Sequence, residues 1–318
     1  MFINRKGLRL KGIVGEKMTT NTDVVFQINN ISKVYDKKIA LNSVEINIKK
    51  GEVIALIGPS GAGKTTLLNT LATVIKPDKG EILLDGNSIE IYKGVKELAK
   101  KIGIIRQQFD LVGPLPVIHN VLAGRLKDWG FFKSLLSLVV PQDKDLAIRA
   151  LDRVGIKEKA YERTSNLSGG EQQRVAMARL LVQNPEVILA DEPVSSLDPA
   201  RAEDILDTLT NLAKEEGQTL IASLHSVEYA KKYFNRIIAL REGKVYFDLP
   251  ADKVTSELLG SLYDLKELNE NGKQKENIKN HLGETQADQN GLAQDQLVQN
   301  ELVQNELVHY MKELKEDE

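Results

Sequence analysis

The sequence predicts an α/β fold built on a mostly parallel sheet. Three observations carry this. Short apolar runs alternate with segments of helical period. A glycine-rich loop ending in Lys-Thr lies between one such run and the helix behind it. Two acidic residues emerge directly after another run. Strands of a parallel sheet are covered by helices on both faces, so they read as short continuous apolar stretches.

Val53–Ile57 is the first such strand, closed by Gly58-Pro59, and the residues from Lys64 to Ile75 follow as a predicted helix. Ile82 to Leu84 and Ile102–Ile105 read as strands. The stretch Asp145 to Val154 has helical spacing (Leu146, Ile148, Leu151, Val154) and stops at Gly155. Glu171 to Val182 is a second strong helical segment, and Val187–Ala190 is a buried-strand pattern. Pro199 to Lys214 is helical, with proline in its first turn, where the missing N–H costs nothing. Leu220 to Ser223, Ile237 to Leu240 and Val245 to Phe247 are the remaining strands.

Composition narrows the function class. Of 318 residues, 42% are hydrophobic and 28% charged, ordinary usage for a folded domain with a sizeable core. Collagen, a wholly disordered chain and a multi-span membrane protein are excluded. The most apolar longer stretch, residues 135–140, is broken by Ser137 and stopped by Pro141. A membrane-spanning helix needs ~20 apolar residues, and the N-terminus lacks the apolar region of a signal peptide, so membrane contact is expected through a partner. Absence of cysteine excludes disulfides and thiolate metal sites. With 43 basic and 45 acidic side chains, nucleic acid is not an expected partner.

The charge is uneven, and it suggests three parts. Residues 1–17 hold five basic side chains (Arg5, Lys6, Arg9, Lys11, Lys17) against Glu16, so they read as a basic extension, with Met18 as an alternative start. Residues 18–266 form the expected α/β domain. Residues 267–318 carry twelve acidic and five basic side chains and form an acidic low-complexity tail. Within it, residues 289–308 repeat as QNGLA, QDQLV, QNELV, QNELV. A five-residue step turns an α-helix by about 140°, so the Leu-Val pairs precess and form no stripe. The tail reads as disordered or weakly helical; the alternative is an interaction or regulatory segment.

Residues 58–65, GPSGAGKT, match G-x-x-x-x-G-K-[ST]. Backbone N–H groups that wrap a phosphate need conformations glycine adopts cheaply, hence Gly58, Gly61 and Gly63. Lys64 is placed to reach the β and γ oxygens, Thr65 to offer its hydroxyl to Mg²⁺, and Thr66 to meet the α-phosphate. Pro59, Ser60 and Ala62 complete the loop, and the helix behind it aims its positive end at the phosphates. In VILADEP, residues 187–193, Asp191 and Glu192 leave the strand at its C-terminal end, where open α/β sheets place chemistry. Asp191 is the candidate Mg²⁺ residue, and Glu192 the candidate general base toward the attacking water.

LSGGEQQR, residues 167–174, resembles the signature of ATP-binding-cassette (ABC) ATPases. The resemblance covers about residues 24–265 and implies a RecA-like core, an antiparallel β subdomain and an α-helical signature subdomain at about 109–176. It also implies roles. Tyr35 would stack on adenine; Gln107 would be the Q-loop glutamine and a Mg²⁺ contact, with Gln108 a competing candidate. Ser196, Leu197 and Asp198 would lie in the D-loop, and His225 would be the switch histidine that helps orient the water. Ser168, Gly169, Gly170 and Glu171, at a helix N-terminus that attracts anions, would meet the γ-phosphate bound to a second copy. ATP and Mg²⁺ are the expected ligands, and a head-to-tail ATP-sandwich dimer the expected assembly.

The absence of a membrane segment resembles the stand-alone ATPase of an importer, at the cytoplasmic face of the membrane. It would act with transmembrane permease subunits and, indirectly, with an extracytoplasmic solute-binding protein. "VLAGRL" (121–126), a linker ending at Pro141, "ALDRVGI" (150–156), "ILADEPVSSLDP" (188–199), "SLHSVEYAKKY" (223–233) and "RIIALREGKVYFD" (236–248) resemble the phosphonate-importer ATPase subfamily. Two positions depart from it: Arg106 stands where an aromatic or apolar residue is more usual, and Leu249 where glycine is. Arg106 is either a permease contact or a surface side chain, and Trp129, Phe131 and Phe132 either a permease-docking patch or core. The alternatives in function are another cargo (phosphite or another oxyanion, an amino acid, lipoprotein release) and a non-transport ABC ATPase. The latter usually carries two cassettes or a long coiled-coil insertion, and neither is seen here.

Overall fold

A computed structural model describes residues 23–92, 95–106, 109–130, 142–195 and 197–263. The chain divides into the units Met1–Leu262 and Tyr263–Glu318, and the elements below all belong to the first. The basic extension, the aromatic pair Phe131-Phe132 and the acidic tail lie outside the described residues.

The five-residue run β3 (Val53–Ile57) is buried at every position. It sits inside a six-stranded sheet with β6 (Ile102–Ile105), β7 (Val187–Ala190), β8 (Thr219–Ser223), β9 (Arg236–Arg241) and β10 (Lys244–Pro250), in the order β10-β9-β3-β8-β7-β6. β9, β3, β8, β7 and β6 run parallel, as the apolar runs predict, and only β10 is antiparallel. Glu242 and Gly243, both at positive φ (51° and 75°), form the tight turn that reverses the chain there. Every second residue of β10 is exposed, as befits an edge strand.

Of the second sheet, only the Ile82 to Leu84 run reads as a strand from the sequence. β1 (Val24–Tyr35) and β2 (Lys38–Lys49) form a long hairpin, and with β4 (Lys79–Leu84) and β5 (Asn87–Ser88) they make an antiparallel sheet in the order β2-β1-β4-β5. One face is wet, so apolar residues alternate with polar ones, and register shifts interrupt even that alternation. The antiparallel subdomain implied by the family resemblance is therefore present, although no continuous apolar run marks its β1–β2 hairpin.

Between the sheets lies α1 (Lys64–Leu71), whose Leu67, Leu68 and Leu71 are buried in one core with Phe26, Ile28 and Leu41 of the antiparallel sheet and Ile54, Leu56 and Leu189 of the parallel one. Each such side chain contributes about 1.5–3 kcal/mol by burial. α1 is shorter than predicted: it ends at Leu71, and Thr73 takes a positive φ of 58°. Val74 and Ile75 instead donate their N–H groups to the Asn69 carbonyl.

Among the described residues the remaining α-helices are α2 (Val95–Lys101), α3 (Val117–Leu122), α4 (Lys144–Arg153), α5 (Gly169–Gln183), α6 (Pro199–Glu215), α7 (Val227–Tyr233) and α8 (Ser256–Leu262). α5 starts two residues before the predicted Glu171, because Ser168 caps it. It packs against α3 and α4 on one side and β6 on the other, joining the helical subdomain to the sheet. Inside that subdomain the Asn120 side chain bonds the Val112 backbone through both its oxygen and its nitrogen, and it donates to Thr164 Oγ1. Trp129 is 3% exposed and donates to Asp143, so it is core and not part of a docking patch. Arg106 pairs with Asp110 at the surface.

Candidate active site

The phosphate-loop motif follows β3 and runs into α1, so its glycines are tested by their neighbours. A Cβ on Gly58 (φ 143°) would lie 2.1 Å from the Leu240 carbonyl oxygen, and one on Gly63 (φ 106°) 2.5 Å from that of Ala40. Both positions admit glycine alone. The loop wraps a cleft of about 270 Å³ lined by Tyr35, Lys38, Ala40, Ser60, Gly61, Ala62, Gly63, Lys64, Thr65, Thr66, Glu192 and His225. Lys64 is 6% exposed, and its ammonium donates to the carbonyls of Gly58 (2.7 Å) and Pro59 (3.3 Å). Burial pushes its pKa below the usual lysine value, opposed by the charges of Glu192 and Asp191.

β7 delivers the two acids. Thr65 Oγ1 donates to Asp191 Oδ1 at 3.2 Å, and the Ser223 hydroxyl donates to the same oxygen at 2.7 Å. Ser223 Oγ also accepts the Glu192 backbone N–H at 2.8 Å. Glu192 sits at φ 49°, a strained backbone for a non-glycine residue. Its Oε1 meets His225 Nε2 at 2.7 Å. This pairing puts a carboxylate and an imidazole beside Lys64, the arrangement needed to position and deprotonate a water at a phosphate.

The Thr65 hydroxyl and the Asp191 carboxylate are hard oxygen donors next to the loop, and they suit Mg²⁺. Among the described residues no three His, Asp or Glu side chains converge on a metal position.

The signature residues lie elsewhere. Ser168 accepts the Glu171 N–H and donates, through its own N–H and hydroxyl, to the Glu171 carboxylate, closing a capping box at the start of α5. The Ser168 N–H, aided by its hydroxyl, holds the Glu171 pKa below the ordinary carboxylate range. Ser168, Gly169, Gly170 and Glu171 do not line the phosphate-loop cleft, nor do Leu197 and Asp198; Asp198 caps α6 by accepting the Arg201 N–H.

The ABC transporter family matches residues 41–195. The chain is 40% identical to "Phosphonates import ATP-binding protein PhnC" of Lactobacillus gasseri, over 78% of this chain and 96% of that protein. It is 41% identical to the protein of that name from Escherichia coli O157:H7, over 77% and 97%.

The chain belongs to the ABC transporter family.

Its fold is that of solved ABC cassettes. A dimeric ATP-binding cassette in a post-hydrolysis state, bound to ADP and Pi, is 32% identical with a TM-score of 0.61, covering 71% of this chain and 98% of that one. The cbiO1 protein of Clostridium perfringens, part of an ABC transporter complex, is 29% identical with a TM-score of 0.64, covering 78% and 96%. In this ABC cassette the cleft brings together Tyr35, Ser60 to Thr66, Glu192 and His225, with Gly58, Pro59 and Asp191 one contact away. Tyr35 stands at the rim, 42% exposed, with the Lys33 ammonium over its ring. Gln107 and Ser196 lie outside the described residues. Sequence reasoning missed Ser223, Lys38 and Ala40. The signal for Ser223 was the strand alignment: β7 pairs with β8 so that Ala190 faces Ala222, which makes the next residues, Asp191 and Ser223, neighbours.

Proposed function

We propose that this ABC ATPase energises phosphonate import, acting with a second copy of itself and with permease subunits at the cytoplasmic face of the membrane. The observation that carries the chemistry is the 2.7 Å contact of Glu192 with His225 at the mouth of the phosphate loop. The cargo assignment is supported by relatives named for phosphonate import, 40–43% identical over more than nine-tenths of their own length.

In this reading Tyr35 stacks on adenine, and Lys64 and the loop N–H groups bind the phosphates. Thr65 and Asp191 (with Gln107) hold Mg²⁺, which when bound neutralises charge on the β and γ oxygens. Glu192 takes a proton from the attacking water while His225 orients it, and the bond between the γ-phosphorus and the ADP oxygen breaks. The N-terminus of α5, with Ser168, Gly169 and Gly170, supplies N–H groups to the γ-phosphate held by the second copy. Leu197 and Asp198 face that copy as the D-loop, to which the sequence resemblance also assigns Ser196. ATP thus becomes part of the dimer interface, and hydrolysis releases it by shifting the population toward the open form. Among the described residues no helix is long and apolar enough to cross a membrane.

Uptake of labelled phosphonate in cells with and without the chain tests the reading, with phosphate uptake as control. Loss of phosphonate uptake alone, restored by wild type and not by Lys64→Ala, supports it. Unchanged uptake in cells with no second phosphonate importer removes the cargo and leaves the ATPase.

A further inference from the structure

We propose that Lys38 is a second phosphate-binding cation of the cleft, holding the polyphosphate from the antiparallel sheet as Lys64 holds it from the loop. The proposal rests on the reading of this cleft as the ATP site.

Strand alternation places Lys38 and Ala40 on the same face of β2. Packing decides which way that face points. The Ala40 carbonyl lies against both Gly63 and Gly243, where added Cβ atoms would come within 2.5 and 2.8 Å, and the Asn42 N–H donates to the Gly243 carbonyl at 2.8 Å. The strand is thereby clamped onto the phosphate loop, and its first residue is carried over the cleft. Lys38 Nζ lies 3.6 Å from where a Cβ on Gly61 would stand. Tyr35, its cross-strand partner, lines the same cleft, so Lys38 lies between the adenine platform and the loop.

The charge is unspent. Two lysines near the cleft have acceptors: Lys33 bonds Asp78, and Lys64 bonds loop carbonyls. Among the described residues no carboxylate or carbonyl accepts from Lys38. The cleft also holds Glu192, with Asp191 one contact behind it. Lys64 alone therefore leaves the site short of positive charge for a triphosphate, even with one divalent cation. An exposed ammonium on a flexible stem is a point charge suited to a phosphate oxygen.

The test is nucleotide affinity of the full chain with Mg²⁺, for wild type, Lys38→Met, Lys38→Arg and Lys64→Ala. Lys38→Met is expected to weaken both ATP and ADP about tenfold, the worth of one charge-assisted hydrogen bond. It should also flatten the salt dependence of binding, and its loss in turnover should fall on KM more than on kcat. Lys38→Arg should recover most of the affinity. Affinity of Lys38→Met within about twofold of wild type, or equal weakening in Lys38→Arg, overturns the proposal. Wild-type binding by Lys64→Ala would instead overturn the reading of the cleft itself.

Discussion

The Ser223 hydroxyl donates a 2.7 Å hydrogen bond to Asp191 Oδ1. Ser223 Oγ in turn accepts the Glu192 N–H, so one fully buried hydroxyl sets both acids of the site. Ser223→Ala would strand a polar backbone group and loosen Asp191, at a cost of about 1–3 kcal/mol. At ~2–4 °C per kcal/mol for a domain this size, the melting temperature should fall by several degrees, and ATP turnover should need more Mg²⁺. Wild-type melting and Mg²⁺ dependence in this variant would show that Ser223 does not position the acids.

Glu192→Gln keeps the shape of the side chain and removes the base. Nucleotide binding should persist, turnover should drop by ~10²–10⁴, and a nucleotide-bound dimer should accumulate on size exclusion. Near-normal hydrolysis would assign the base elsewhere.

Gly58→Ala introduces a Cβ 2.1 Å from the Leu240 oxygen at φ 143°. The strained conformation alone costs about 1–3 kcal/mol, and β9 must shift besides. Thermal unfolding should show a clear loss of stability, and nucleotide binding should fall with it. Gly217→Ala is the control for φ alone, because its left-handed backbone (φ 65°) has open space around it.

Glu171 ties stability of the signature helix to pH. The Ser168 N–H holds its carboxyl below the ordinary value of 4.5. A lowered carboxylate pKa stabilises the fold above the unfolded value and ceases to do so as pH falls through the folded one. Glu171→Gln should therefore be less stable than wild type by about 1 kcal/mol at neutral pH, and the gap should close below pH ~4.5. A gap independent of pH in denaturant titrations would contradict this.

Much of the parallel sheet was legible because its strands are buried on both faces: Val53–Ile57 and Val187–Ala190 are apolar throughout. The phosphate loop was legible too, since glycine, lysine and threonine at that spacing have a local physical reason. The β1–β2 hairpin was not read from runs, because a sheet with one wet face carries polar residues at every other position and bulges break the count. The early end of α1 was hidden for a different reason: Val74 and Ile75 continue an apolar pattern while Thr73 leaves the helical region.

The sequence by itself determined the parallel strands and the phosphate loop, because each depends on neighbours within a few residues; it offered Lys64, Asp191 and Glu192 as candidates by the same local logic, and His225 through the family resemblance. Only the tertiary structure decided that Ser223 bonds Asp191, that Trp129 is core, and that Lys38 reaches the loop beside Gly61. Those contacts join residues far apart in the chain. Their geometry is set by how β8 pairs with β7 and how β2 packs on Gly63 and Gly243. No local propensity or spacing encodes such a register; it emerges when the apolar faces close on one core.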